Sequence, residues 1–121
     1  MSKTEFGKNS ENIAVSFLEK LGYKILFRNF RSRNAEIDII AMDSSCLVFV
    51  EVRSKTKTDF GHPFETISLH KQRKIISAAQ FFLMKNRLFE TKACRFDVLA
   101  IVDPENKTGV QIEHLKNAFS T

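Results

Sequence analysis

The chain has 121 residues, 43% of them hydrophobic, and its 19 Lys and Arg against 14 Asp and Glu give a net charge of +5. This length and composition fit one small domain with a hydrophobic core, which argues against intrinsic disorder. No segment approaches the roughly 18 uninterrupted apolar residues of a membrane span, and the N-terminus lacks the apolar run of a signal peptide. We therefore expect a single domain over residues 1–121, located in the cytoplasm and without a membrane partner.

The moderate positive charge is shared by many proteins, so its distribution along the chain is more informative than its size. Basic residues form three clusters, namely Arg28, Arg31 and Arg33; Arg53, Lys55 and Lys57; and Lys71, Arg73 and Lys74. Each cluster alone is more typical of a solvated surface than of a binding site. Three clusters that converge in space would attract phosphates and make binding sensitive to salt.

The only cysteines, Cys46 and Cys94, are distant in sequence and lie in apolar segments. Such a pair makes no disulfide framework, so we predict buried free thiols. The three histidines, His62, His70 and His114, show no ligand-like spacing with the cysteines. A zinc site is therefore not expected.

A first helix is predicted from about Asn9 to Leu21, where apolar residues recur at helical spacing. Asn9 or Ser10 is suited to be its N-cap, and Gly22 ends it where a left-handed conformation is easiest. A short strand is expected next, from Tyr23 to Arg28, and then a polar connection from Asn29 to Ala35.

The same periodicity of apolar residues predicts the remaining elements. Further strands are predicted at Glu36 to Met42, Cys46 to Arg53, Cys94 to Val102 and Val110 to Leu115, and a second helix from about Ser68 to Asn86. Residues Ser54 to Thr66 read as a loop. The resulting order of α, β, β, β, α, β and β predicts an α/β fold with one mixed sheet of about five strands flanked by helices.

The second and third strands are joined by Asp43-Ser44-Ser45 and should form an antiparallel hairpin. If Ser44-Ser45 is a two-residue turn, Asp43 pairs with Cys46, and Asp38 then lies directly opposite Glu51. Because side chains in a strand alternate, we expect one face to carry Glu36, Asp38 and Ile40 and the other to carry Ile37, Ile39 and Ala41. Phe49, Glu51 and Arg53 should share a face of the partner strand.

Two opposed carboxylates flanked by Ile and Val are poorly solvated and repel each other, so the site must hold a proton, a salt bridge or a metal ion. A basic side chain such as Arg53 could simply pair with these acids. A third acid favours a metal: Glu11 lies in line with Ala14, Leu18 and Leu21 on the helix side expected to pack inward. Three acids that converge are typical of a hard-cation site, so we expect Mg²⁺ or Mn²⁺.

These residues also carry a resemblance to a known family. Glu36-Ile-Asp38, followed by Phe49-Val-Glu51-Val-Arg53, resembles the D…(D/E)-x-K signature of restriction-endonuclease-like nucleases. The whole chain resembles the YraN-like family of uncharacterised prokaryotic proteins. The ordered features that carry this resemblance are Gly7-x₃-Glu11-x₂-Ala14, Leu18-x₃-Gly22-Tyr23, Asn34-Ala-Glu-Ile-Asp38, Phe49-Val-Glu-Val-Arg53, Lys71 with Ala79, and Arg95-Phe-Asp97.

The resemblance implies a restriction-endonuclease-like fold, similar to archaeal Holliday-junction resolvases, with a metal at the hairpin. It assigns metal-ligand roles to Asp38 and Glu51 and an auxiliary role to Glu11. Glu36 is then either a further acid at the rim or the partner of a nearby arginine. Relative to the family pattern, Ala35 replaces a common glycine.

Arg53 stands where the nuclease signature has lysine, although relatives in the family also show arginine there. Arginine stays protonated and cannot be a general base, but it can hold a phosphate or a water. Lys55 and Lys71 are two candidates to replace the lysine. Lys71 starts the second helix and should point toward the sheet; the alternative is a solvent-reaching amine whose stem covers the core edge.

The leading hypothesis is a metal-dependent nuclease that hydrolyses nucleic acid, with DNA favoured; structure-selective action on DNA and a homodimer are options within this hypothesis. Its candidate catalytic residues are Glu11, Asp38, Glu51, Arg53 and Lys71, and its candidate phosphate contacts are Arg31, Arg33, Arg53, Lys55, Lys57, Lys71 and Lys74. The alternatives are a nucleic-acid-binding module that keeps the fold without turnover, and a protein-interaction subunit. Arg95 and Asp97 share a strand face and are expected to form a structural ion pair.

Overall fold

The computed structural model describes residues 3–33, 35–56, 67–88, 93–103 and 110–120. Within these ranges the elements are α1 Lys3–Lys20, β1 Lys24–Ser32, β2 Ala35–Asp43, β3 Cys46–Thr56, α2 Leu69–Lys85, β4 Ala93–Asp103 and β5 Gln111–Phe119. The predicted order and the α/β class are confirmed. Neither helix in the described part of the chain combines the length and apolar character needed to cross a membrane.

The five strands form one sheet in the order β1-β2-β3-β4-β5. Strands β3 and β4 are parallel and all other neighbours are antiparallel, which makes the sheet mixed as predicted. A parallel pair needs a crossover, and α2 lies in the chain between these two strands. The start of α2 is thereby brought back over the sheet, next to β2 and β3.

One helix packs on each face of the sheet. Under α1 the buried cluster comprises Ala14, Leu18, Tyr23, Ile39, Ala41, Val48, Val50, Leu99 and Ile101. Under α2 it comprises Ile37, Ile40, Leu47, Phe49, Ile75, Ala78, Ala79, Phe82, Leu83 and Phe96. Successive residues of β3 enter opposite clusters, which explains why this central strand is apolar on both faces.

The hairpin register is the predicted one from Asp43 to Ile39, but the predicted pair of Asp38 and Glu51 is not part of the ladder. Asp43 pairs with Cys46, and the ladder runs regularly to Ile39 opposite Val50. Ser44 adopts a positive φ of 55° in the turn. The alternation predicted for β2 is wrong at one position, because Ile37 and Ile40 both enter the α2 cluster. Next to Ile37, the Asp38 carboxylate accepts a backbone hydrogen bond from β3, so the side chain lies between the strands instead of above the sheet.

Helix α1 begins earlier than predicted. It starts at Lys3, so Asn9 and Ser10 lie inside the helix and neither is its N-cap. The preceding polar segment contains Lys and Glu, which are good helix formers, and it extends the helix without an apolar stripe. Leu21, expected to face inward, lies beyond the helix end and is 51% exposed.

Gly22 ends α1 as predicted, with a φ of 92°. Its N–H donates to the Glu19 carbonyl at 2.9 Å, and the Tyr23 N–H donates to the Leu18 carbonyl at 3.0 Å. No described atom lies within 4 Å of an added Cβ, so a substitution here would be costly only through the backbone.

Gly22→Ala should lower the free energy of unfolding by about 1 kcal/mol and Gly22→Asn by less, as measured by urea denaturation. Equal losses for both variants would contradict this account.

Strand β1 continues to Ser32, where a connection was predicted. It is an edge strand among the described elements, and it tolerates polar residues because none of the other four strands given above pairs with its outer side. Asn29 has a positive φ of 55° and interrupts the alternation. As a result Phe27 and Phe30 both contact Phe82, with ring centroids 5.4 and 5.2 Å apart.

Three further differences concern the segments after β3. Residues Ser54 to Thr56 belong to β3 and not to the predicted loop, of which residues 57–66, including Lys57, lie outside the described residues. Strand β5 extends to Phe119 instead of Leu115. The prediction of buried thiols is wrong for Cys94, which is exposed near the start of β4, whereas Cys46 is partly buried; the two cysteines are not joined by a disulfide.

Candidate active site

A cleft of about 450 Å³ lies between the β2–β3 hairpin and the start of α2. Its described lining residues are Ala35, Glu36, Asp38, Glu51, His70, Lys71, Lys74 and Ile75. The acids come from the sheet and the basic residues from α2. The cleft therefore has one acidic wall and one basic wall.

Asp38 stands one step beyond the last regular pair of the β2–β3 ladder. Its Oδ2 accepts a hydrogen bond from the Val52 N–H at 2.8 Å. Burial and then the nearby Glu51 carboxylate raise the pKa of Asp38 to about 7, against the lowering effect of the Val52 bond. Glu11 and Glu36 raise this pKa further. At neutral pH the site holds a proton or attracts a cation.

Glu51 is buried, with 8% of its surface exposed. Its Oε1 lies 2.8 Å from the Lys71 Nζ. Lys71 is in the first turn of α2, and its N–H donates to the Oγ of the N-cap Ser68 at 3.1 Å. The predicted direction of Lys71, toward the sheet, is confirmed, although 53% of its side chain remains exposed.

Glu11 does not share a ligand cluster with the other two acids. Its Oε1 accepts a hydrogen bond from Asn29 Nδ2 at 2.8 Å and lies 3.5 Å from Arg28 Nη2. In the described ranges, no three Asp, Glu, His or Cys side chains are grouped closely enough to hold a metal. Glu11 still acts on the site electrostatically, through its effect on the Asp38 pKa.

Glu36 meets both predicted alternatives, an arginine partner and a further acid at the rim of the site. Its Oε2 lies 3.4 Å from Arg31 Nε at the surface, which makes it the partner of an arginine. Glu36 also lines the cleft. Arg31 itself is not among the described residues that line the cleft.

The other predicted basic residues are distributed unevenly. Lys74 lines the cleft, and Arg33 and Arg73 line an adjoining groove of about 280 Å³. Arg53 is partly buried on β3 opposite Ala100 and is not among the described residues that line the cleft. Lys55 lies in β3 with its backbone paired to Val102.

Sequence reasoning missed His70, which lines both the cleft and the adjoining groove. Its spacing from Lys74 would have indicated it, because residues four apart lie on the same side of a helix.

A second polar cluster lies on the α1 side of the sheet. Arg95 Nε is 3.0 Å from Asp97 Oδ1, which confirms the predicted structural ion pair. Asp97 is completely buried and also contacts His114 Nε2 at 2.8 Å and the Asn117 N–H at 3.0 Å. Burial raises the pKa of Asp97, but the bonds from His114 and Arg95 outweigh it, so the pKa lies below its ordinary value. Arg95 further contacts Asp43 at 2.9 Å.

The mixed five-stranded sheet, with a helix on each face and an acid pair at its central hairpin, defines an α/β protein of the restriction-endonuclease-like type. The family model described as "Uncharacterised protein family UPF0102" matches residues 10–101, and the chain belongs to this family. UPF0102 is YraN-like, so the resemblance drawn from the motifs is confirmed.

Relatives carrying the family name align over nearly their whole length. A UPF0102 protein of Persephonella marina is 51% identical over 113 residues, which cover 93% of this chain and 91% of the relative. One from Lachnoclostridium phytofermentans is 43% identical over 119 residues, covering 98% and 96%. One from Desulforapulum autotrophicum is 44% identical over 119 residues, which cover 98% of this chain and 96% of the relative. These names state the family and no activity.

Proposed function

We propose that this protein is a divalent-metal-dependent nuclease that hydrolyses phosphodiester bonds in DNA. The observation that carries the proposal is the juxtaposition of the Asp38 and Glu51 carboxylates with the cations of α2 across one open cleft. Acids that bind a metal and cations that bind phosphate are the two parts that such hydrolysis needs.

A divalent cation fits the donor set at the acidic wall. Asp38 and Glu51 are close enough for Glu51 to raise the Asp38 pKa, and Lys71 already places one positive charge on Glu51. Mg²⁺ is commonly held by one or two carboxylates and keeps several waters, so a third protein ligand is not required. Asp38 and Glu51 would hold the ion, with Glu11 as an auxiliary charge nearby. When bound, such an ion polarises a phosphoryl oxygen and lowers the pKa of a coordinated water.

The basic wall supplies the phosphate contacts. Lys71 is half exposed at the cleft mouth, so its ammonium is accessible to a phosphate oxygen as well as to Glu51. Lys74 and His70 lie beside it on the same helix. Negative charge that develops on the phosphoryl oxygens during hydrolysis would be stabilised by these groups. Lys71 is accordingly the candidate to replace the signature lysine, since arginine at position 53 cannot accept a proton.

The proposal is tested by incubating the protein with single-stranded, duplex and branched DNA in Mg²⁺, Mn²⁺ or EDTA. We expect cleavage of at least one substrate in metal and none in EDTA. Asp38→Ala should abolish it, whereas Glu19→Gln, which removes an exposed acid of α1, should leave it unchanged. The proposal fails if no substrate is cut, or if Asp38→Ala cuts as well as the parent chain.

A second candidate is a nucleic-acid-binding module without turnover. The observation in its favour is Arg53 in place of the signature lysine. This candidate predicts salt-sensitive DNA binding that survives Asp38→Ala, together with no cleavage in any metal. Absence of DNA binding at low salt would leave neither candidate standing and would favour a protein-interaction subunit.

A further inference from the structure

The candidate cleft continues into a groove along α2. It shares Ala35, His70 and Lys74 with the adjoining depression lined also by Ser32, Arg33, Arg73 and Ser77. That depression shares Ser32, Arg33 and Ser77 with a third one of about 480 Å³, which ends at Phe81. From His70 to Phe81 the groove follows one side of α2 for about 16 Å, at about 1.5 Å per residue.

The middle of this groove is basic. Arg33, Arg73 and Lys74 are exposed, and none of the ion pairs among the described residues involves them. The described lining beyond the cleft contains no acidic residue. Three cations along a concave surface attract a polyanion.

The far end of the groove presents an aromatic ring. Phe81 is 49% exposed, and behind it lies Phe30, with ring centroids 6.2 Å apart and planes inclined by 33°. Phe30 in turn packs edge-on against buried Phe82 at 5.2 Å. The exposed ring therefore rests against an aromatic cluster, an arrangement that suits a stacking platform.

We infer that the groove binds a single-stranded segment of nucleic acid that leads away from the cleft, with phosphates on Arg33, Arg73 and Lys74 and one base stacked on Phe81. A base pair inside a duplex is already stacked on both faces, so away from a duplex end only an unpaired nucleotide can offer its face to this ring. A protein partner would leave the three cations unmatched unless it were acidic. The inference rests on the proposed function, and it narrows the substrate to DNA that has unpaired nucleotides beside the scissile bond.

The chain has no tryptophan, so Phe81→Trp introduces a single tryptophan at the stacking position, which is excited selectively at the red edge of its absorption. The variant is titrated in EDTA with a single strand, a blunt duplex and a duplex carrying a single-stranded overhang. We expect its fluorescence to be quenched by the single strand and the overhang and to be unaffected by the blunt duplex. Equal quenching by the blunt duplex, or none by any DNA, would overturn the inference.

Two leucine variants separate the aromatic face from apolar bulk. Phe81→Leu should weaken binding of the single strand and the overhang about tenfold, because base stacking on an aromatic ring is lost. Phe27→Leu is the matched control, since Phe27 is 48% exposed and does not line the groove. Unchanged affinity in Phe81→Leu, or an equal loss in both variants, would contradict the inference. A change in oligomeric state on sedimentation of Phe81→Leu would show that the ring is a contact between copies instead.

These measurements need no cleavage. If Phe81→Trp is quenched by single strands while no DNA is cut in any metal, the nuclease proposal fails and the binding groove stands. If DNA is cut but Phe81→Trp does not respond, the nuclease stands and the groove assignment fails.

Lys74→Ala should in addition reduce the salt dependence of single-strand binding by about one counterion.

Discussion

Asp38→Asn should lower the rate of metal-dependent cleavage about a thousandfold, and should at the same time stabilise the metal-free protein at pH 8. The first effect follows from the loss of a carboxylate ligand, which is worth about 4 kcal/mol at that rate ratio. The second effect follows from the raised pKa of Asp38, about 7 in the folded chain against an ordinary value of 3.8. A residue with only a structural role would not produce both changes.

The sign of the stability effect is set by which state binds the proton more tightly. Below pH 3.8 Asp38 is protonated in both states and contributes no difference. Between pH 3.8 and about 7 the unfolded chain loses the proton while the folded chain keeps it, so stability falls as pH rises. Above about pH 7 the penalty is constant, and asparagine, which does not ionise, avoids it.

Urea denaturation in EDTA measures this effect. We expect Asp38→Asn to increase the free energy of unfolding by about 1–3 kcal/mol at pH 8, which is less than the upper limit of about 4 kcal/mol set by the pKa difference. At pH 4 we expect little effect. The asparagine side-chain oxygen still accepts the Val52 hydrogen bond, so the backbone contact is kept. Glu19→Gln is the control and should shift neither value. A loss of stability at pH 8 would show that the negative charge of Asp38 supports the fold.

Asp97→Ala should lower the free energy of unfolding by about 3–5 kcal/mol at neutral pH. The substitution leaves Arg95, whose side chain is 17% exposed, without its buried counter-charge, and it removes the acceptor for His114 and Asn117. Asp43→Ala is the matched control, because Asp43 is 32% exposed and meets the same arginine at the surface. We expect it to lose only about 1 kcal/mol. Similar losses in both variants would contradict a special role for the buried carboxylate.

Acid should remove the contribution of Asp97. Its pKa in the folded chain lies below the ordinary 3.8, so its stabilisation is fully present above pH 3.8 and disappears as pH falls through the lower folded value. The stability difference between the parent chain and Asp97→Ala should therefore shrink below pH 3.8. Denaturation curves between pH 2 and pH 6 measure it, and a difference that stays constant over this range would contradict the assignment.

The central elements were predictable because their signals are local. The two-residue turn after Asp43 determined the hairpin register, and Ser68 with the apolar stripe of α2 determined the helix start and the direction of Lys71. Edge strands carry weaker signals, since a strand with one free side tolerates polar residues. For this reason the predicted strands β1 and β5 both end too early, at Arg28 and Leu115.

The candidate site was predictable in its acid pair but not in its wider contacts. Glu11 contacts Arg28 and Asn29 of β1, and Asn29 interrupts the regular strand with a positive φ. The periodicity of the sequence does not predict that interruption. The groove along α2 likewise depends on distant parts of the chain, because Arg33, between β1 and β2, lines the same depression as Ser77 and Phe81 of the helix, more than forty residues away in sequence.

The two edges of the sheet share one feature. Strand β1 contains Asn29 and strand β5 contains Asn117, each with a positive φ, and the ladder of each strand with its inner neighbour shows a register shift. A strand interrupted in this way presents no long, regular row of N–H and C=O groups to another chain. The sheet is thus protected against extension by a second copy, which guards a small, strand-rich chain against aggregation. If the protein pairs with itself, the contact surface is to be sought on its helices rather than along its strands.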